Sequence, residues 1–108
     1  MYVTKRSGFI VAYDRKKIEQ AVTKAFISTR GNTFLFKGVS DKLVYNEVHK
    51  RLESQHQEEQ NKTNTVEAIQ DLVENVLLDF GHRDVANCYM IYRDKHAQYR
   101  KELSELKI

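Results

Sequence analysis

Tyr2-Val3-Thr4-Lys5-Arg6-Ser7-Gly8-Phe9-Ile10-Val11-Ala12-Tyr13-Asp14 holds two short runs of β-branched and aromatic residues, 2–6 and 9–13, parted by Ser7-Gly8. Two such runs around a two-residue loop, with glycine supplying positive φ, read as a β-hairpin. Asp14 stands where the N-cap of a helix belongs. Directly behind it Ile18, Ala21, Val22, Ala25 and Phe26 recur at i, i+3, i+4, i+7 and i+8, the apolar stripe of an amphipathic helix that Gly31 and Asn32 stop. A hairpin this small cannot stand alone in water, so it should lie across one end of a larger body.

That body is helical. Residues 33–37 form a short apolar patch that reads equally as a third small strand or a packed loop. Ser40 or Asp41 caps a second helix with the stripe Val44, Val48 and Leu52, which runs into a polar stretch, 55–62, read as a solvated helix end plus linker. Asn64 with Glu67 three residues on resembles a capping box. The helix behind it carries Val66, Ile69, Val73, Val76, Leu77 and Phe80 on one face, with Gly81 at C′. A fourth helix spans about 84–106. Four single-striped helices can bury those stripes only against one another. The expected class is therefore mainly α with a small β cap: a four-helix bundle covered by an N-terminal β-hairpin or three-stranded sheet, one domain over residues 1–108.

Composition narrows the function. A chain of 108 residues suffices for one modest core, and 31% charged with 41% hydrophobic residues is ordinary for a globular domain. No apolar run approaches the ~20 residues of a membrane span, and the first residues lack the apolar region of a secretory signal, so no membrane partner is expected. The single cysteine, Cys88, can build neither a disulfide framework nor a four-ligand zinc site, which fits a reducing cytoplasm. The net charge of +3 is mild, with basic and acidic residues interspersed, so no nucleic-acid partner is expected and any anion site must be local.

Two constellations carry chemistry. Lys5 and Arg6 on the hairpin face the start of a helix that opens Arg15-Lys16-Lys17. Cations in a first helical turn oppose the macrodipole at roughly 0.3–1 kcal/mol each. An anion held between hairpin and helix start would offset that cost, because free backbone N–H groups there point at it too; the alternative is a set of solvated lysines. On the fourth helix, Tyr89, Tyr92, His96 and Tyr99 lie beside Arg93 and Arg100. Tyr92 and His96 are one turn apart, a combination suited to a stacked purine with its phosphates nearby; the alternative is a row of core or boundary tyrosines with wet hydroxyls. His49, His56 and His82 look unremarkable, and Cys88 reads as a buried, inert thiol. No glycine-rich phosphate loop, nucleophile elbow or catalytic carboxylate pair is present, so catalysis is not expected of this chain.

Val3-Thr4-Lys5-Arg6-Ser7-Gly8, Tyr13-Asp14 and Lys17-Ile18 leading into Ala21 resemble the opening of ATP-cone domains. Thr65-Val66-Glu67-Ala68-Ile69-Gln70-Asp71-Leu72-Val73-Glu74, and Val85-Ala86 through Tyr89-Met90-Ile91-Tyr92-Arg93, resemble their closing half. The likeness covers nearly the whole chain in order. It implies one or two adenine nucleotides, ATP or dATP with Mg2+, bound beneath the cap as allosteric ligands. It also implies a partner, the catalytic domain or subunit of a ribonucleotide reductase, which ATP keeps active and dATP switches off by changing subunit association, including self-association of the dATP-bound form. The closing strings are similar to those of anaerobic reductases among other classes, and the methionine start fits an N-terminal position.

Residue by residue, the resemblance makes Lys5, Arg6 and Lys17 phosphate ligands and packs Val3 near the nucleotide. Asp14 orients the hairpin-to-helix turn, Glu67 and Gln70 read the base or sugar, and Tyr92 faces the adenine with Arg93 and His96 toward the phosphates. The sequence departs from the family at Ser7, usually aspartate, and at His96, often lysine or arginine. A histidine there would let phosphate affinity fall as pH rises. Two other readings fit less well: the cone of a nucleotide-dependent transcriptional repressor that lacks its four-cysteine zinc ribbon, and a small basic helical protein that binds nucleic acid.

Overall fold

The computed structural model describes residues 1–31, 39–58 and 64–106, with only the backbone for 56–58. The elements are β1 (Tyr2–Thr4), β2 (Ile10–Ala12), α1 (Arg15–Arg30), α2 (Ser40–Glu58), β3 (Asn64–Thr65), α3 (Val66–Asp79) and α4 (Arg83–Leu106). This is the expected helical bundle with a small sheet at one end. Asn32, the apolar patch 33–37 and the polar stretch beyond 58 fall outside the described residues.

β1 and β2 pair antiparallel with Val3 opposite Val11. Their connection is longer than the two-residue loop expected. Lys5 N donates to Phe9 O at 2.8 Å and Gly8 N donates to Lys5 O at 2.9 Å, leaving Arg6, Ser7 and Gly8 as the loop. The turn closes first and Gly8, at φ +91°, then bends the chain into β2. That is the three-residue hairpin in which glycine occupies the left-handed position. The third strand is Asn64–Thr65, parallel to β1 with Val3 opposite Asn64, which gives the order β2-β1-β3.

Asp14 caps α1 as expected, its Oδ1 accepting from Lys16 N at 3.0 Å, and Gly31 at φ 77° ends the helix. The buried residues of α1 are Ile18, Val22, Ala25 and Phe26. Asp41, one of two candidate caps for α2, does not act as a cap. It is buried in the first turn and accepts from Thr23 Oγ1 of α1 at 2.9 Å. The cap of α3 is Thr65, whose Oγ1 accepts from Ala68 N at 3.1 Å. Asn64, read as that cap, is instead a buried residue of β3. At the other end Gly81 sits at φ +81°, with Gly81 N bonded to Leu78 O and His82 N to Leu77 O. These two bonds are a Schellman closure. Phe80, placed on the apolar face by periodicity, is 40% exposed at the C-cap.

Val22 and Phe26 of α1, Val44, Val48 and Leu52 of α2, Val73, Val76 and Leu77 of α3, and Val85 of α4 are almost wholly removed from solvent. Each such side chain contributes about 1.5–3 kcal/mol of transfer free energy. Val3 joins the same cluster from β1, so the sheet is fastened to the bundle by its inner face. At the opposite end Arg30 grips both carboxylate oxygens of Asp84, at 2.8 and 3.0 Å, joining the end of α1 to the start of α4. Past Arg93 every described residue of α4 is exposed. No helix among the described residues is long and apolar enough to cross a membrane.

Candidate functional site

Under the inner face of the sheet lies an open cleft. Its walls are apolar: Val3 and Val11 from the hairpin, Ile18 from α1, Val66, Ile69 and Val73 from α3, and the ring of Tyr89 from α4. Lys5, Tyr13, Asp14, Lys17 and Gln70 supply the polar groups around this slot.

The geometry sorts the expected site residues into groups. Val3, Lys5, Asp14, Lys17 and Gln70 share the cleft. Lys5 comes from the hairpin and Lys17 from the first turn of α1, and neither has an ion-pair partner among the described residues. Asp14 Oδ1 caps α1, so this residue shapes the turn at the edge of the slot.

Arg6 and Arg93 are already engaged. Arg6 Nε lies 2.7 Å from Glu67 Oε1, and its Nη2 donates to Gln70 Oε1 at 3.0 Å. Arg93 Nη1 is held between Asp71 at 2.9 Å and Glu74 at 2.5 Å. Both arginines line a second groove, with Glu67, Glu74 and Arg100, that meets the cleft at Gln70.

Tyr92 and His96 are not in the cleft. Tyr92 is 47% exposed, its ring 4.1 Å from that of His96, and it borders a smaller pocket with Lys24, Ser28 and Cys88. The aromatic of α4 that does face the cleft is Tyr89, one of the tyrosines weighed as core, with its hydroxyl pushed up to about 12 by burial. Cys88 is half-buried at the edge of the smaller pocket rather than sealed in the core.

Two histidines that looked ordinary are not. His49 is buried to 2% exposure and hydrogen-bonded through Nδ1 to the hydroxyl of Tyr13. His82 receives Arg30 Nη2 at Nδ1, 3.1 Å away, and meets Phe26 edge-on at 5.0 Å. Burial lowers the pKa of both, and a neighbouring arginine adds to the effect at each. The side chain of His56 lies outside the described residues.

A slot with aliphatic and aromatic walls and two ammonium groups unpaired among the described residues is suited to a ligand with a flat, weakly polar body and an anionic tail. The start of α1 adds backbone N–H groups and the positive end of a helix dipole on the same side. A family model for the ATP cone domain matches residues 1–98, and the chain belongs to that family, whose members bind adenine nucleotides as allosteric ligands.

The chain is 33% identical over 110 residues to the ribonucleoside-diphosphate reductase subunit alpha of Chlamydia trachomatis, covering 93% of this chain and 10% of that protein. It is 34% identical over 109 residues to the same subunit of Chlamydia pneumoniae, covering 96% and 10%. To the vitamin B12-dependent ribonucleoside-diphosphate reductase of Thermoplasma acidophilum it is 33% identical over 106 residues, covering 93% and 12%. The chain thus spans about a tenth of the length of the curated relatives it matches.

Proposed function

We propose that this chain is a single regulatory domain that binds ATP or dATP in the cleft beneath the sheet and controls the overall activity of a ribonucleotide reductase. The observation that carries the reading is the convergence of Lys5 and Lys17, from two different elements and both without an ion-pair partner among the described residues, on one apolar slot. The base enters between Val3, Ile69 and Tyr89, with the Gln70 amide at its edge. The phosphates, with Mg2+, turn toward the two ammonium groups and the start of α1, which Asp14 holds in place. Arg6, with Glu67 behind it, closes the rim beside the hairpin turn. Arg93 belongs to the adjoining groove, where Asp71 and Glu74 hold it; Tyr92 and His96 take no part in this slot.

The reductases among its relatives favour this reading over a repressor's cone or a nucleic-acid-binding helix bundle. The partner is then the catalytic domain or subunit of a cytoplasmic reductase. Its response to dATP passes through subunit association, including self-association of the dATP-bound form. Calorimetric titration with ATP, dATP and a random oligonucleotide at two salt concentrations tests the reading. Micromolar nucleotide binding without oligonucleotide binding supports it. Oligonucleotide binding that falls steeply with salt, with no response to nucleotide, overturns it.

A further inference from the structure

The group that this function leaves unused is His49. At 2% exposure its ring nitrogens cannot rely on bulk water, and each must be accounted for within the fold. Nδ1 is taken by the hydroxyl of Tyr13. Nε2 is buried without a hydrogen-bond partner and lies 3.6 Å from Glu19 Oε1. Burial and the nearby Arg15 hold His49 below its usual pKa against the pull of Glu19 and Glu53, so the ring is neutral near pH 7. Burial pushes the Tyr13 hydroxyl up to about 12, so it keeps its proton. A neutral imidazole beside a protonated phenol allows two tautomers, and the Glu19 carboxylate 3.6 Å from Nε2 favours the one that carries its proton there. Tyr13 donates to Nδ1, and the ring proton sits on Nε2, facing Glu19.

Tyr13 connects two regions. Its backbone N–H donates to Met1 O at 3.0 Å, which ties it to the hairpin, and it stands immediately before the cap of α1. Tyr13 lines the cleft beside Asp14 and Lys17, while its hydroxyl reaches His49 on α2. No residue of α2 among those described lines the cleft itself. A phenylalanine would furnish the same wall without a polar group to satisfy. The buried phenol–imidazole pair carries a desolvation cost that only a made hydrogen bond offsets. What the pair adds over two apolar side chains is one fixed position for the ring.

We propose that His49 is a positioning residue for the nucleotide cleft: by accepting the Tyr13 hydroxyl it holds that ring in place as a wall, so α2 bears on nucleotide affinity without touching the ligand. The proposal rests on the nucleotide reading of the cleft. Disengaged from His49, the Tyr13 ring is free to turn about χ1 and χ2 into the slot, where it competes with the ligand beside Lys17.

The test is calorimetric titration of the full chain with ATP, at one pH and salt, for the parent and for Tyr13→Phe, His49→Leu, the double variant and His49→Asn. Asparagine puts an amide where Nδ1 stands and so keeps an acceptor for Tyr13. Tyr13→Phe and His49→Leu are each expected to weaken ATP binding about fivefold, the scale of one lost hydrogen bond. The double variant should bind no worse than the weaker single variant, and His49→Asn should stay within about twofold of the parent. A role in packing alone would not produce this rescue, because asparagine restores the acceptor without the ring.

Tyr13→Phe binding like the parent, His49→Asn as weak as His49→Leu, or losses that multiply in the double variant would each overturn the proposal. Should His49→Leu fail to fold by circular dichroism, Tyr13→Phe and His49→Asn decide the matter by the same criteria. Failure of the parent itself to bind ATP overturns the nucleotide reading and this proposal together, a result distinct from any of the variant outcomes.

Discussion

Arg6, in the turn of the hairpin, makes a 2.7 Å ion pair with Glu67 in the first turn of α3. Lys5, its neighbour in sequence, has no such partner among the described residues and faces the cleft. Adjacent cations that look equivalent in sequence therefore enter the site with different electrostatic histories. One is already neutralised by the protein, while the other is compensated only when an anion arrives.

This difference predicts an order of effects on ATP affinity. Lys5→Ala and Lys17→Ala should each remove about 1.5–3 kcal/mol of charge-assisted binding, roughly 10- to 100-fold in Kd. Arg6→Ala should cost less, because the nucleotide gains from Arg6 only what Glu67 and Gln70 give up. Its effect on folding should also be small, about 0–1 kcal/mol, as for other exposed pairs. Calorimetry on the three variants checks the order. Equal losses at all three would mean that the nucleotide strips Arg6 from Glu67.

The start of α3 offers a test of local structure. Thr65→Ala removes the oxygen that caps Ala68 N and should destabilise the domain by about 0.5–2 kcal/mol in denaturant unfolding. A Thr65→Ser variant, which keeps the oxygen, should lose far less. If alanine and serine behaved alike, the cap would contribute nothing.

Much of the architecture was legible in the sequence because α1 and α3 each bury one stripe at helical spacing and end at a glycine. The start of α3 was misread by one position, since Asn64 and Thr65 are both good caps and only pairing with β1 sends Asn64 into the sheet. β3 itself is two residues long and carries no periodicity. The cleft was half legible. Breaking the helix-dipole rule exposed Lys17, and the turn exposed Lys5. Val11, Ile18 and Ile69 could not be told from ordinary stripe residues, because one inner face serves both core and cleft. Tyr89 and Tyr92 are three residues apart on one side of α4, and only the packing of α1 and α3 decides which of the two faces the slot.

Stability should fall on mild acidification. His49 and His82 both have pKa values below 6.5 in the folded state, while in the unfolded chain they titrate near 6.5. The unfolded state therefore binds more protons as pH drops through 6.5 and below, and the folded state loses ground until the native pKa values are passed. Urea midpoints measured from pH 7.5 to 5.0 should decline. His49→Asn should flatten that decline, and an unchanged slope would show that His49 is not its source.

The bundle centre gives a stability benchmark. Leu77 on α3 has no solvent exposure, and Leu77→Ala should cost about 2–5 kcal/mol, the transfer term plus the void left among close-packed neighbours. Leu103→Ala, on the exposed end of α4 at 41% exposure, should change urea stability by no more than about 0.5 kcal/mol. Comparable losses at the two positions would contradict the packing described.

The pairing of Val3 with Asn64 joins the two ends of a loop about sixty residues long. During synthesis the hairpin emerges about sixty residues before its third strand, and has to wait for it until the chain past Thr65 has left the ribosome. Ordering of the slot is therefore a late event, coupled to docking of α3, and a nascent or truncated chain ending before residue 64 would carry both lysines without a place to use them.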